Sequence, residues 1–99
     1  MITPILVNRY HNIPYDVYIG RGTIWGNPVP IDKNLGITRE MAVELYREHL
    51  IEQIEEGIIT IQDFKNLSGK TICCSCSPRA CHGDIIIEFF NEIRDMENE

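Results

Sequence analysis

Outside positions 73–81, this chain of 99 residues has no cysteine. A disulfide framework ties distant parts of a small secreted chain together, and four cysteines packed into one short stretch cannot do that. Basic residues are scarce too: nine Lys and Arg stand against 15 Asp and Glu, for a net charge of −6. That balance argues against a general nucleic-acid binder, which needs a basic face. Arg9, Arg21, Arg39 and Arg79 can still converge on an anionic small molecule. No stretch approaches the ~20 apolar residues of a membrane span. The start, Met1-Ile2-Thr3-Pro4, lacks a charged leader before a long apolar run. These absences predict a soluble, cytoplasmic protein with no membrane partner. There is no internal repeat and no low-complexity segment. The glycines of 20–26 have the wrong spacing for a dinucleotide fingerprint, and no Gly-Lys-Ser/Thr ending marks a P-loop.

What is present reads as one globular domain spanning residues 1–99, at 43% hydrophobic and 24% charged. A chain of this size buries only roughly 60–70% of its unfolded surface. A bound metal or a homo-oligomer interface would help such a core without being required. Ile5-Leu6-Val7 and Asp16-Val17-Tyr18-Ile19 read as strands, and residues 20–36 as a loop long enough to be functional. Thr38 is a good N-cap for a helix over 39–56. Its apolar positions are Met41, Leu45, Leu50, Ile51 and Ile54, and Gly57 is a plausible stop. Thr60 and Asp63 resemble a capping box for a short helix over 61–67. A third strand is predicted over 70–74 and a last helix over 82–96, burying Ile85, Ile86, Phe89, Phe90 and Ile93. The expected class is α/β: a small three- or four-stranded, mostly parallel, Rossmann-like sheet with flanking helices.

The densest chemistry lies in Cys74-Ser75-Cys76-Ser77-Pro78-Arg79-Ala80-Cys81-His82-Gly83-Asp84. Strand alternation turns Cys74 and Cys76 to one side and Cys73 to the other, into the core. Cys81 and His82 fall at a helix start, where free amides and the dipole favour an anion or a thiolate. Cys81 is therefore a candidate nucleophile, with His82 or Asp84 as acid/base. The bland alternative is that Asp84 balances the first helical turn and His82 closes the turn. Zinc is a second reading. Cys74, Cys76, Cys81 and His82 are suitable ligand types at poor spacing, so no metal or other cofactor is assigned.

The other candidate region is Gly20-Arg21-Gly22 with Trp25-Gly26-Asn27-Pro28. Trp25 can stack on a base or sugar, or plug one end of the sheet. Asn27 can read a base edge or only stabilise the turn. Arg21 suits an anion better than the core.

These residues resemble the family called domain of unknown function 4326, found in bacteria and bacteriophages. The resemblance rests on Val17-Tyr18-Ile19-Gly20-Arg21-Gly22, Trp25-Gly26-Asn27-Pro28 and Cys74-x-Cys76-x-Pro78-x-x-Cys81-His82-Gly83-Asp84. Thr38-Arg39, Tyr46 and Leu67-Ser68-Gly69-Lys70 also fall where the family pattern expects them. Ser75 and Val29 depart from it, each standing where the family often has an aromatic residue. The last motif is similar to the Cys-His turn of another α/β family with a Rossmann-like sheet, which supports the fold expectation. The resemblance implies no established activity, and phage occurrence points toward nucleotide metabolism, DNA modification or counter-defence.

If strands two and three are parallel neighbours, both loops emerge at one sheet edge and form one pocket. In that pocket Arg21, Arg39 and Arg79 meet an anionic group, and Trp25 and Asn27 hold a ring. Cys76, Cys81, His82 and Asp84 line the floor. The expected partner is a small nucleotide- or nucleoside-like molecule, bound with or without hydrolysis or group transfer by Cys81, His82 and Asp84. Non-catalytic sequestration of a nucleotide signal and a small zinc-binding interaction protein are the alternatives.

Overall fold

Three short, largely apolar runs build the sheet. In the computed structural model, which describes residues 1–9, 12–28, 33–74 and 81–97, β1 is Ile5–Asn8, β2 is Val17–Tyr18 and β3 is Thr71–Cys74. The strand order is β1-β3-β2, and both pairings are parallel. β3 is the central strand, so Ile72, Cys73 and Cys74 are all buried. β2 is shorter than the expected 16–19, but its ladder continues past both ends. Asp16 N–H donates to the Thr71 carbonyl and Ile19 N–H to the Cys73 carbonyl, each at 2.9 Å. Thr71 N–H donates in turn to Asp16 Oδ2 at 2.8 Å.

The helices are α1, Arg39–Glu55, α2, Ile61–Lys65, and α3, His82–Glu97. Their ends follow local chemistry. Met41 N–H donates to Thr38 Oγ1 at 3.2 Å, which caps α1. Gly57, at φ +76, turns the chain away after it. Thr60 and Asp63 form a true capping box: Thr60 N–H donates to Asp63 Oδ2 at 2.8 Å, and Asp63 N–H to Thr60 Oγ1 at 3.3 Å. The chain leaves β2, passes through α1 and α2, and returns to its parallel neighbour β3. The class is thus α/β, with a small parallel sheet of three strands and three α-helices among the described residues. Among the described residues, no helix is long and apolar enough to cross a membrane.

One core joins sheet and helices: Ile72 and Cys74 from β3, Tyr46 and Leu50 from α1, Phe64 from α2, and Ile85, Ile86 and Phe90 from α3. Cys73 points to the opposite face, as alternation requires, and is fully buried there. The expected apolar stripe of α1 needs correcting. Met41, Leu45 and Ile51 are exposed, and the buried face is Ala42, Tyr46 and Leu50, spaced four apart. Both sets hold a four-residue step, so spacing alone does not separate them: the exposed set lies on the opposite side of the helix from Ala42, Tyr46 and Leu50.

Candidate functional site

All three strands are parallel, so their carboxyl ends share one edge, where open α/β sheets hold ligands. The segment leaving β2 folds back on itself there. Thr23 N–H and Thr23 Oγ1 both donate to the Gly20 carbonyl, at 3.3 and 2.8 Å. Gly26 N–H then donates to the Thr23 carbonyl at 3.1 Å. Gly26 passes so close to residue 20 that a Cβ there would lie 2.8 Å from the Gly20 oxygen. Glycine is required at this position by backbone approach.

Between this loop and α1 lies a cavity of about 590 Å³, a size that suits a small organic ligand. The loop contributes Arg21 to Ile24 and Gly26 to Pro28, and α1 contributes His49 and Gln53. None of these lining residues is acidic. Arg21 is exposed and forms no ion pair with any described residue, and neither does His49. His49 and Gln53 sit one helical turn apart on the wall facing the loop. Sequence reasoning missed both. The only available signal was their four-residue spacing one position away from the solvated glutamates.

Two expected ligand residues take a different place. Trp25 is 4% exposed, and its ring meets Phe64 edge-on at a centroid distance of 5.0 Å. A ring buried against α2 has no free face to stack on a ligand, so Trp25 is the plug at the end of the sheet. Asn27 does line the cavity, but its Nδ2 also donates to the Ala42 carbonyl at 3.0 Å, which ties the loop to α1. Arg39 is the first residue of α1 and does not line this cavity. Cys76 and Arg79 lie outside the described residues.

Cys81, His82 and Asp84 open α3 at the same sheet edge, but none of them lines the cavity. His82 Nε2 is 2.7 Å from the Ile19 carbonyl. A carbonyl only accepts, so Nε2 carries the proton and Nδ1 faces Cys81 Sγ at 3.8 Å. Gly83 N–H donates to the same sulfur at 3.3 Å, so Cys81 takes the N-cap role that a serine or aspartate usually fills. Cys81 and His82 are 3% and 6% exposed, which makes the pair a buried joint between α3 and the end of β2. Asp84 is exposed in the first turn of α3, where a carboxylate favours the helix dipole. Gly83 lets that turn sit tightly on the sheet, since a Cβ there would meet Leu6 Cδ1 at 2.6 Å. Among the described residues, no three His, Cys, Asp or Glu side chains gather as a metal site.

Tyr46 links the two regions. Its hydroxyl donates to the Trp25 carbonyl at 2.7 Å, and its ring meets His82 edge-on at 5.0 Å. The Trp25 loop and the start of α3 are therefore neighbours across one buried ring. Burial first, and the charge of Cys81 second, hold the Tyr46 hydroxyl well above the ordinary phenol range, so it remains a donor.

A family model described as Domain of unknown function (DUF4326) matches residues 7–92. The chain is also similar to a protein of Enterobacteria phage T4 named "Uncharacterized 12.4 kDa protein in nrdA-td intergenic region". The two are 41% identical over 88 residues, covering 89% of this chain and 78% of the phage protein. No solved structure matches.

Proposed function

The chain belongs to the Domain of unknown function (DUF4326) family, and on that footing we propose that it binds a small anionic, nucleotide- or nucleoside-like ligand. The cavity between the 21–28 loop and α1 is the binding site. The observation that carries this reading is the composition of that cavity. An acidic protein of net charge −6 surrounds a pocket lined by a guanidinium, an imidazole and two carboxamides, and no carboxylate is among the described lining residues. Arg21 suits an anionic group, for which guanidinium is the best-matched side chain. Gln53 and Asn27 offer both donors and acceptors to the edge of a heterocycle. The position at the carboxyl edge of a parallel sheet, after the manner of Rossmann-like folds, supports the same reading.

Binding without turnover is the form we favour, because Cys81, His82 and Asp84 open α3 and do not line this cavity. A protein that sequesters a nucleotide signal in the cytoplasm needs only that. The test is isothermal titration with the four ribonucleoside 5′-monophosphates and their nucleosides, with the ligand recovered afterwards for mass analysis. Saturable binding and unchanged ligand are expected. Arg21→Gln should weaken it roughly 10- to 100-fold, the equivalent of losing a charged hydrogen bond worth about 1.5–3 kcal/mol. No binding at millimolar ligand, or full binding by Arg21→Gln, would sink the reading.

A further inference from the structure

We infer that His49 is the second cation of this site, and that the site therefore selects a terminal phosphomonoester over a phosphodiester or an uncharged nucleoside. The inference rests on the nucleotide-binding reading above and adds the ligand's charge and the group that reads it. A phosphomonoester carries roughly −1.5 to −2 at neutral pH. One guanidinium matches only part of that charge. Among the described lining residues, Arg21 is the permanent cation and His49 is the only other side chain that can become one. Neither is neutralised by a carboxylate of any described residue.

The position of His49 is held from its own helix. Its ring lies 5.9 Å from that of Tyr46, tilted by 43°. Gln53 follows one turn further along, on the same cavity wall. The charged and titratable groups around His49 are few. Arg21 faces it from the loop. Tyr46 stays neutral across the physiological range, and His82 meets the Tyr46 ring edge-on at 5.0 Å. Glu48 and Glu52 are exposed on α1 and do not line the cavity.

A terminal monoester and its methyl ester differ in one ionisable oxygen, so the pair isolates what the second contact reads. The experiment is isothermal titration of the intact protein with each ribonucleoside 5′-monophosphate, its 5′-methyl ester and its nucleoside. The monophosphate should bind about tenfold more tightly than the methyl ester, and the nucleoside more weakly still. His49→Gln and His49→Asn, each with its thermal unfolding checked, should bind the monophosphate no more tightly than the ester. Variants that keep the wild-type preference, or a wild-type protein that binds the ester as tightly as the monoester, overturn the inference and leave the nucleotide site standing. Failure of every ligand instead removes the site itself, and the inference with it.

Discussion

Tyr46→Phe is the sharpest probe of how the cavity loop is held. The substitution keeps the ring, with its contacts to His82 and His49, and removes one atom. That atom is the donor at 2.7 Å to the Trp25 carbonyl, inside a site where both residues are buried. A buried acceptor left without its donor costs about 1–3 kcal/mol. Taking about 2 kcal/mol, and about 0.2 kcal/mol/K for the unfolding entropy of a domain this size, the melting temperature should drop by about 10 °C. Tyr15→Phe is the control, because Tyr15 is 50% exposed and its hydroxyl is free to meet water. Trp25 is the only tryptophan, so its fluorescence reports on the same joint and should shift to the red in Tyr46→Phe. Calorimetry and emission spectra together decide the matter. A Tyr46→Phe protein that melts with the wild type and keeps its emission maximum would refute the claim that this hydrogen bond fastens the loop.

Two further outcomes follow from the packing. Gly26→Ala sets a methyl 2.8 Å from the Gly20 oxygen and 3.2 Å from Arg21 Cα, both backbone atoms that cannot swing aside. It should cost about 1–3 kcal/mol in denaturant melts, whereas Gly83→Ala meets the movable Leu6 methyls and should cost less; the reverse order would contradict the loop geometry. Stability should also fall on the alkaline side. Burial raises the Cys73 thiol above its ordinary 9.0, with the charge of Cys74 adding to this and Arg9 opposing it, and burial likewise raises Tyr46 above 10.0. Both groups lose their protons sooner in the unfolded chain, so their contribution is complete below about pH 9 and is lost as the pH climbs through the folded values. Urea melts at pH 8, 9.5 and 10.5 should show that decline, with Tyr46→Phe flattening its upper part.

The ends of helices were legible because their causes are local. Thr38, Gly57 and the Thr60–Asp63 box act within a few residues of themselves, and each does what its identity suggests. The parallel pairing of β2 with β3 was legible for a similar reason, since a helix between two strands implies a crossover. The buried face of α1 was not. Its apolar residues lie all around the helix, and what selects Ala42, Tyr46 and Leu50 is the shape of the surface opposite. The candidate site was half legible. Arg21 and Asn27 were found from the glycine-rich loop, but His49 and Gln53 reach the cavity only because α1 crosses behind that loop. Trp25 presented two readings, and only its edge contact with Phe64 decides for the core.

The strand order carries a consequence for how the chain is made. Ile2 N–H closes onto Ser68 Oγ, 66 positions later, and every residue of β1 pairs with β3. Among the described residues, β2 also pairs only with β3. The first two strands therefore leave the ribosome with nothing to pair with until the central one is synthesised. At roughly 5–20 residues per second, that wait is roughly 3–13 s, far longer than the microseconds a hairpin needs. During synthesis α1 and α2 are the units able to form early, and the sheet closes only when β3 threads between two strands already waiting.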